Sequence, residues 1–356
     1  MLAQLWGGKQ KKVLGLDIGA SAVRLVEMSR NGAGYRLDRF AVEKMPLNAM
    51  SENEIKDVNA VAAAVRRAYL RSGSKLQDSA VAVSSSQIIS KNITMPAGFS
   101  ESELEEQIKV EAGQYIPYST DEVNMDFIVE ESATEDSDTL QIQLVASRSE
   151  NVDARIAVLE QAGLRPKIVD VEMFALENAF PLACSRIGHA AQVNTVALIN
   201  VGDVTTTLVV VRDGKGIYNR DQMFGDVQLT EAIQNHYGLT FEQADEARQT
   251  NKLPEDFEQE VLPGFCRAVA QQCSRLLQLF FSASGVSHVD HVVLSGECAK
   301  LPGIADRVAE VCGITVSIAN PFTTLSMGSG VAAADFEKEA PALMVACGLA
   351  LRSFDQ

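Results

Sequence analysis

Each half of this sequence opens on the same local design: an apolar strand, a glycine turn and a second strand with no helix between them. In the first half, Val13-Leu14-Gly15-Leu16-Asp17-Ile18-Gly19 leads into Ala22-Val23-Arg24-Leu25-Val26-Glu27-Met28, and Tyr35 to Val42 continues the meander. In the second, Thr195 to Val201 passes through Gly202-Asp203 into Thr206 to Val211, and Asp213-Gly214 turns the chain into Lys215 to Arg220. Short apolar or alternating runs punctuated by glycine specify strands, and Asp-Gly is a hairpin signal. A meander is not the strand–loop–helix unit of a dinucleotide fold. The two halves repeat in pattern rather than in identity.

Helical periodicity follows each meander. Val58 to Arg71 reads as a helix stopped near Gly73, and Ser79 to Ser84 as a short strand. Val227–Tyr237, Phe241–Thr250 and a long Glu258–Ser284 helix follow the second meander. Thr240 with Gln243 forms a capping box, and Leu262, Phe265, Val269, Cys273, Leu276, Leu277 and Phe280 make a core stripe. His291–Leu294 and Thr315–Ile318 read as strands, and Ala342–Ala350 as a closing helix of small residues. A separate module sits inside the first half. It has a helix from Ser100 to Tyr115, capped by Ser100 and Glu103 and ended by Pro117, and strands near Val123–Val129 and Leu140–Ser147. The acidic turn Glu130 to Asp138 between those strands reads as a solvated loop. Asn151 to Ala162, stopped by Gly163, closes the module as a helix.

Charge narrows the function. With 47 acidic against 31 basic residues, the net charge of −16 disfavours general nucleic-acid binding, which needs clustered Lys and Arg. Lys9, Lys11 and Lys12 after Trp6 read as a solvated tail. No apolar h-region follows them, and no apolar stretch is long enough to span a bilayer, so any membrane role is expected to run through a partner. The six cysteines form no C-x-x-C pair and the four histidines (His189 among them) lack metal-ligand spacing. The cysteines are read as small buried hydrophobes and zinc as absent.

Chemistry concentrates at three turns. Asp17-Ile18-Gly19-Ala20-Ser21 and Gly202-Asp203-Val204-Thr205-Thr206-Thr207 each set an Asp beside Gly and hydroxyls between two strands. Such hairpins can aim N–H groups and hydroxyls at phosphate oxygens, while the Asp can hold Mg²⁺ through water. Either alone is also an ordinary hairpin. The third is Val293-Leu294-Ser295-Gly296-Glu297-Cys298-Ala299-Lys300-Leu301-Pro302-Gly303-Ile304, a strand–turn–helix edge against which a purine can lie.

In order and spacing these segments resemble the two phosphate motifs and the adenosine motif of the actin and FtsA superfamily. Within it the chain is similar to the PilM family of type IV pilus assembly proteins. Val110-Glu111-Ala112-Gly113-Gln114-Tyr115-Ile116-Pro117, Val169-Asp170-Val171-Glu172, Ala319-Asn320-Pro321-Phe322 and Pro341 to Arg352 carry that likeness. The resemblance implies an α/β, actin-like (ribonuclease H-like) two-lobed fold with an FtsA-type inserted subdomain. Residues 1–85, 166–190 and 341–356 would form the first lobe and 86–165 the inserted subdomain. Residues 191–224 and 257–340 would form the second lobe, and 225–256 a small helical subdomain.

It further implies ATP with Mg²⁺ in the cleft. Asp17, Gly19, Ala20 and Ser21 would face phosphates from one side, and Gly202, Asp203, Val204 and Thr205 from the other. Asp17 and Asp203 would hold Mg²⁺ through water. Asp245 would bond the ribose, Arg248 would cover the adenine, and Gly296, Glu297 and Lys300 would line the purine side. Asp170 or Glu172 would position water. The expected partner is the cytoplasmic N-terminal tail of PilN, in a groove between the first lobe and the inserted module. Other pilus inner-membrane components are expected alongside it, with the protein cytoplasmic and peripheral to the inner membrane. Two departures stand out, Glu297 and Asp226 where many relatives carry the second Gly of a pair. Extra acids raise the electrostatic cost of a triphosphate. The nucleotide is therefore expected to act mainly as a conformational ligand, with weak or no hydrolysis. The alternatives are an FtsA-like filament protein, which would carry an amphipathic C-terminal helix unlike Leu351-Arg352-Ser353-Phe354-Asp355-Gln356, and a sugar or acetate kinase, which would have a longer chain.

Overall fold

Both meanders form, and each seeds a sheet whose order is the same over five strands, the first sheet adding a short sixth. In the computed structural model, which describes residues 12–32, 34–130, 138–185, 193–250, 252–329, 331 and 333–355, the first sheet runs Arg165–Val171, Asp78–Val83, Leu14–Ile18, Ala22–Asn31, Gly34–Lys44 and Ser326–Met327. The second runs Val316–Ile318, His291–Ser295, Thr195–Val201, Thr205–Arg212 and Lys215–Met223. In each, an antiparallel three-strand meander is extended by two parallel strands beside its first strand. The pattern repetition in the sequence is thus a repeated topology. Trp6, Lys9, Lys11, His189 and positions 131–137 of the acidic turn lie outside the described residues.

The second sheet's central strands, Thr195–Val201, Thr205–Arg212 and His291–Ser295, are buried on both faces, so they read as nearly continuous apolar runs rather than alternating ones. Val196, Leu198, Val209, Val211 and Val293 pack into the first lobe's core, whereas Ala197, Ile199, Leu208, Val210 and Leu294 pack under the second lobe's helices. Two helices fill the space between the lobes. Glu172–Ala183 is one, and Met344–Leu351, buried at all eight positions, is the other. Small residues there are a steric requirement: a Cβ on Gly348 would lie 1.7 Å from the Ala175 carbonyl oxygen, and one on Gly15 would lie 2.0 Å from that of Ala346.

Helix ends follow local chemistry. Asp57 accepts from the Ala60 amide at 3.0 Å to start Val58–Ser72, and Gly73 ends it in the left-handed region at φ 65°. The long helix differs from expectation. It is a single turn, Phe257–Glu260, then Leu262–Ser284, broken at Val261. Pro263 is the physical reason, since it has no N–H to give the preceding turn and so starts a helix rather than continuing one.

The module has its own small core. Its three-stranded antiparallel sheet is ordered Ile88–Pro96, Thr139–Arg148, Val123–Glu130. Helix Glu101–Ala112, held by the expected Ser100–Glu103 box, packs Leu104 and Ile108 on Ile93, Met95, Ile142 and Leu144. Among the described residues no helix is long and apolar enough to cross a membrane.

Candidate functional site

The two phosphate-type turns have one geometry. Gly19 N–H donates to the Ala22 carbonyl at 3.0 Å, and Gly202 N–H to that of Thr205 at 3.0 Å. They face each other across the cleft and touch. The Asp203 carboxylate accepts from the Ser21 amide at 2.9 Å and from the Ser21 hydroxyl at 2.6 Å. Glycine allows that approach on both sides: a Cβ on Gly19 would sit 2.4 Å from Asp203 Oδ2, and one on Gly225 would sit 2.6 Å from the Asp203 backbone.

A buried guanidinium organises the charges. Strand register sets Arg24 opposite Asp17. From there Arg24 reaches Asp17 at 3.5 Å, Asp203 at 3.4 Å and Glu297 at 2.9 Å. Lys300 pairs with Glu297 and, at 3.1 Å, with Glu339. Arg248 donates through Nη2 to both Asp226 carboxylate oxygens, at 2.7 and 2.8 Å, and through Nη1 to the Thr230 hydroxyl at 2.7 Å. Burial pushes Asp17 up to about 6, against the pull of Arg24, and Asp226 up to about 6, against that of Arg248. Burial, followed by the charge of Asp17, takes Glu172 up to about 8. Burial also opposes ionisation of Glu297, but Arg24 and Lys300 overcome it and hold that carboxyl below its ordinary range.

These residues suit an anionic ligand with a cation. Two Ser21 donors and the Arg24 guanidinium converge on one carboxylate, the arrangement a phosphate oxygen requires. The Arg24 Nε is buried without a hydrogen-bond partner. Asp17 and Asp203 flank the same point with oxygen ligands of the kind Mg²⁺ takes, although among the described residues no group of three metal-ligating side chains forms. Next to the turns lies a cavity of about 170 Å³, bordered by Ala20, Ser21, Val204, Asp245 and Arg248 and roofed by Met45, Pro46 and Leu47.

Known proteins supply the context for this geometry. Residues 15–354 match the family described as type IV pilus assembly protein PilM. The chain belongs to the PilM family. Its fold is that of a solved structure titled "PilM-PilN type IV pilus biogenesis complex", at 26% identity and TM-score 0.81, covering 98% of this chain and 100% of that one. A second likeness, to ethanolamine utilization protein EutJ from Carboxydothermus hydrogenoformans, has 16% identity and TM-score 0.55, covers 99% of this chain and 92% of that one, and concerns the fold alone. The protein thus shares the PilM family's actin-like α/β fold and its place in type IV pilus assembly.

Several expected site residues converge and others do not. Asp17, Gly19, Ala20, Gly202, Asp203, Val204 and Thr205 border one narrow cavity with Arg24 and Glu172. Ser21, Asp245 and Arg248 border the neighbouring one. Gly296 and Lys300 border neither. Gly296 instead donates its N–H to the Pro341 carbonyl at 2.9 Å, holding the end of strand His291–Ser295 against the closing helix region. Asp170 is a correction. It accepts from Arg352 Nε at 2.6 Å and borders a cavity with Phe174 and Glu177 instead, so Glu172 alone of that pair enters the cleft. Arg248 is bound to Asp226 rather than left free to cover a base. The two departures from the motif, Glu297 and Asp226, therefore arrive with cations of their own.

Sequence reading missed Arg24. Its one signal was a charge inside an otherwise apolar strand, Ala22 to Met28. Asn53 was missed as well. It bonds Ser86 at 2.9 Å and crosses the cleft to Thr205 at 3.0 Å, with only a turn-like sequence around it.

Proposed function

We propose that this chain is an ATP-binding, cytoplasmic scaffold of type IV pilus assembly that docks the N-terminal tail of PilN and reaches the inner membrane through it. The observation that carries the reading is the PilM–PilN likeness at TM-score 0.81 over 98% of the chain. The nucleotide would lie in the cleft. Ser21 and Arg24 would hold its phosphates, Asp17 and Asp203 would hold Mg²⁺ through water, and Asp245 would sit toward the ribose. Bound there, Mg–ATP would supply charge that clamps the two turns. Of the two candidate water-positioning carboxyls, Glu172 is the one that borders the cleft, and burial keeps it largely protonated near neutrality. That suits weak or absent hydrolysis and a nucleotide used as a conformational ligand.

The PilN groove fits the junction of the module with the first lobe. A cavity of about 220 Å³ opens there among Ile88, Ile89, Ile116, Tyr118, Arg148 and Asn151. Its lining is mainly polar, with Glu54, Gln87 and Glu150 beside the isoleucines, which suits an extended peptide that sets a few apolar anchors among polar contacts. Tyr118 is 41% exposed and lies under the Arg148 guanidinium, 5.4 Å from it, so an anchor can reach its ring. Calorimetric titration with a synthetic PilN N-terminal peptide, with and without Mg–ATP, tests the reading. Saturable binding, tighter by about fivefold or more with Mg–ATP, is the expected result for two coupled sites. No heat in either condition would remove the PilN assignment.

A further inference from the structure

We infer that the Asp203 carboxylate is an internal anion that latches the two lobes together and competes with a nucleotide phosphate for the first turn. The inference rests on the nucleotide reading above and adds the regulation of that site.

Three donors of the first lobe converge on this one side chain of the second. They are the Ser21 amide at 2.9 Å, the Ser21 hydroxyl at 2.6 Å and Arg24 at 3.4 Å. An ionised oxygen meeting an amide, a hydroxyl and a guanidinium is the pattern by which a hairpin turn binds phosphate. The carboxylate is also held in place from behind. The Asp203 carbonyl accepts from the Val227 amide at 2.9 Å, and Gly225 packs against the Asp203 backbone where a Cβ would sit 2.6 Å away. Two flanking bonds cross the cleft in the same sense, Asn53 to Thr205 at 3.0 Å and Lys44 to the Gln249 carbonyl at 3.1 Å.

Competition follows from donor count. A phosphate oxygen that takes Ser21 and Arg24 must expel the Asp203 carboxylate, and the donors cannot fully serve both anions. The expelled carboxylate would face Asp17 with Arg24 engaged elsewhere, a costly arrangement in a partly buried site. A divalent cation removes that cost by neutralising it. Latch release and Mg²⁺ dependence are then one event. Nucleotide without metal meets a closed turn, and nucleotide with metal exchanges one set of partners for another.

The test compares wild-type protein with Asp203→Asn and, as a milder change that keeps the charge, Ser21→Ala. Hydrogen exchange of the first-turn amides is read without nucleotide, and ADP affinity is read by calorimetry in EDTA and in Mg²⁺. Asp203→Asn is expected to speed exchange at Ser21 about tenfold or more, the scale of losing a charge-assisted bond. It is also expected to tighten ADP binding in EDTA about tenfold while shrinking the gain from Mg²⁺. Ser21→Ala should shift exchange at the first turn in the same direction by less. Unchanged first-turn exchange in both variants would overturn the latch, whatever the binding result. Faster exchange with no ADP binding by any form would overturn the nucleotide reading and the competition with it, and would leave only a structural clasp. Faster exchange with unaltered Mg²⁺ dependence would overturn the competition alone.

Discussion

Arg24 is the residue on which the cleft depends most, because three carboxylates from three segments share it. Its side chain is 5% exposed, and Asp17, Asp203 and Glu297 are each mostly buried around it. Removing the cation leaves uncompensated buried charge, which costs about 3–5 kcal/mol when one partner of a buried pair is deleted. Arg24→Met is therefore expected to lose on that order of stability, read as a lower urea midpoint at unchanged m-value. Arg24→Lys keeps the charge but not the fork, so it should recover only part. A loss below about 1 kcal/mol would mean that water already screens the cluster. The residue also marks the limit of sequence reading. Gly19, Asp17 and Asp203 were legible because turn chemistry is local. The pairing of Arg248 with Asp226, 22 positions apart, and the turn of Asp170 toward Arg352 were set by packing that no local pattern encodes.

A second residue titrates in a useful range. Burial, reinforced by Asp170 and resisted by Arg352, raises Glu177 to about 7. The folded state thus holds a proton that the unfolded chain releases nearer its ordinary value. The contribution to stability is fully present below about pH 4.5 and is lost as pH rises through about 7. Glu177→Gln should match wild type near pH 4.5 and exceed it by roughly 2 kcal/mol at pH 8, on the 1.36 kcal/mol per unit scale discounted for partial exposure. Equal pH slopes of stability for the two proteins from pH 4.5 to 8 would contradict this.

Elements, by contrast, were largely readable. The strands of both meanders, the two capping boxes and the Gly73 stop appear where period, turn residues and caps place them. Strand Ile88–Pro96 was not assigned from the sequence. Its burial pattern carries only two buried apolar positions, Ile93 and Met95, and Ser90, Lys91 and Asn92 interrupt the signal. The closing helix Met344–Leu351 was legible as small residues, but the reason for them is tertiary. A methyl at Gly348 collides with the neighbouring helix backbone at Ala175, which cannot yield as a flexible side chain would. Gly348→Ala is expected to cost about 3 kcal/mol, the upper end for overpacking, despite the better helix propensity of Ala. Thermal unfolding checks it, and a neutral result would require the two linking helices to slide apart freely.

At the scale of the molecule, the sharing of cores sets what moves together. The second sheet lends one face to the first lobe's core, so the lobes are joined by continuous apolar packing as well as by the cleft. The module rests on a separate and much smaller core, with edge strands on both sides of its sheet. Small cores bury a smaller share of their surface and open more readily. Amides of Thr139–Arg148 are therefore expected to exchange at least about tenfold faster than those of Thr195–Val201, whose strand is central and covered on both faces. A PilN peptide seated at the junction should slow the module's amides, because a ligand that binds only the closed form stabilises it by mass action. It should leave Thr195–Val201 unchanged, since that strand already opens only with the body. Uniform slowing across both regions would instead place the peptide's effect on the whole body. The groove would then be read as part of one rigid unit rather than as a loosely seated arm that the peptide fastens.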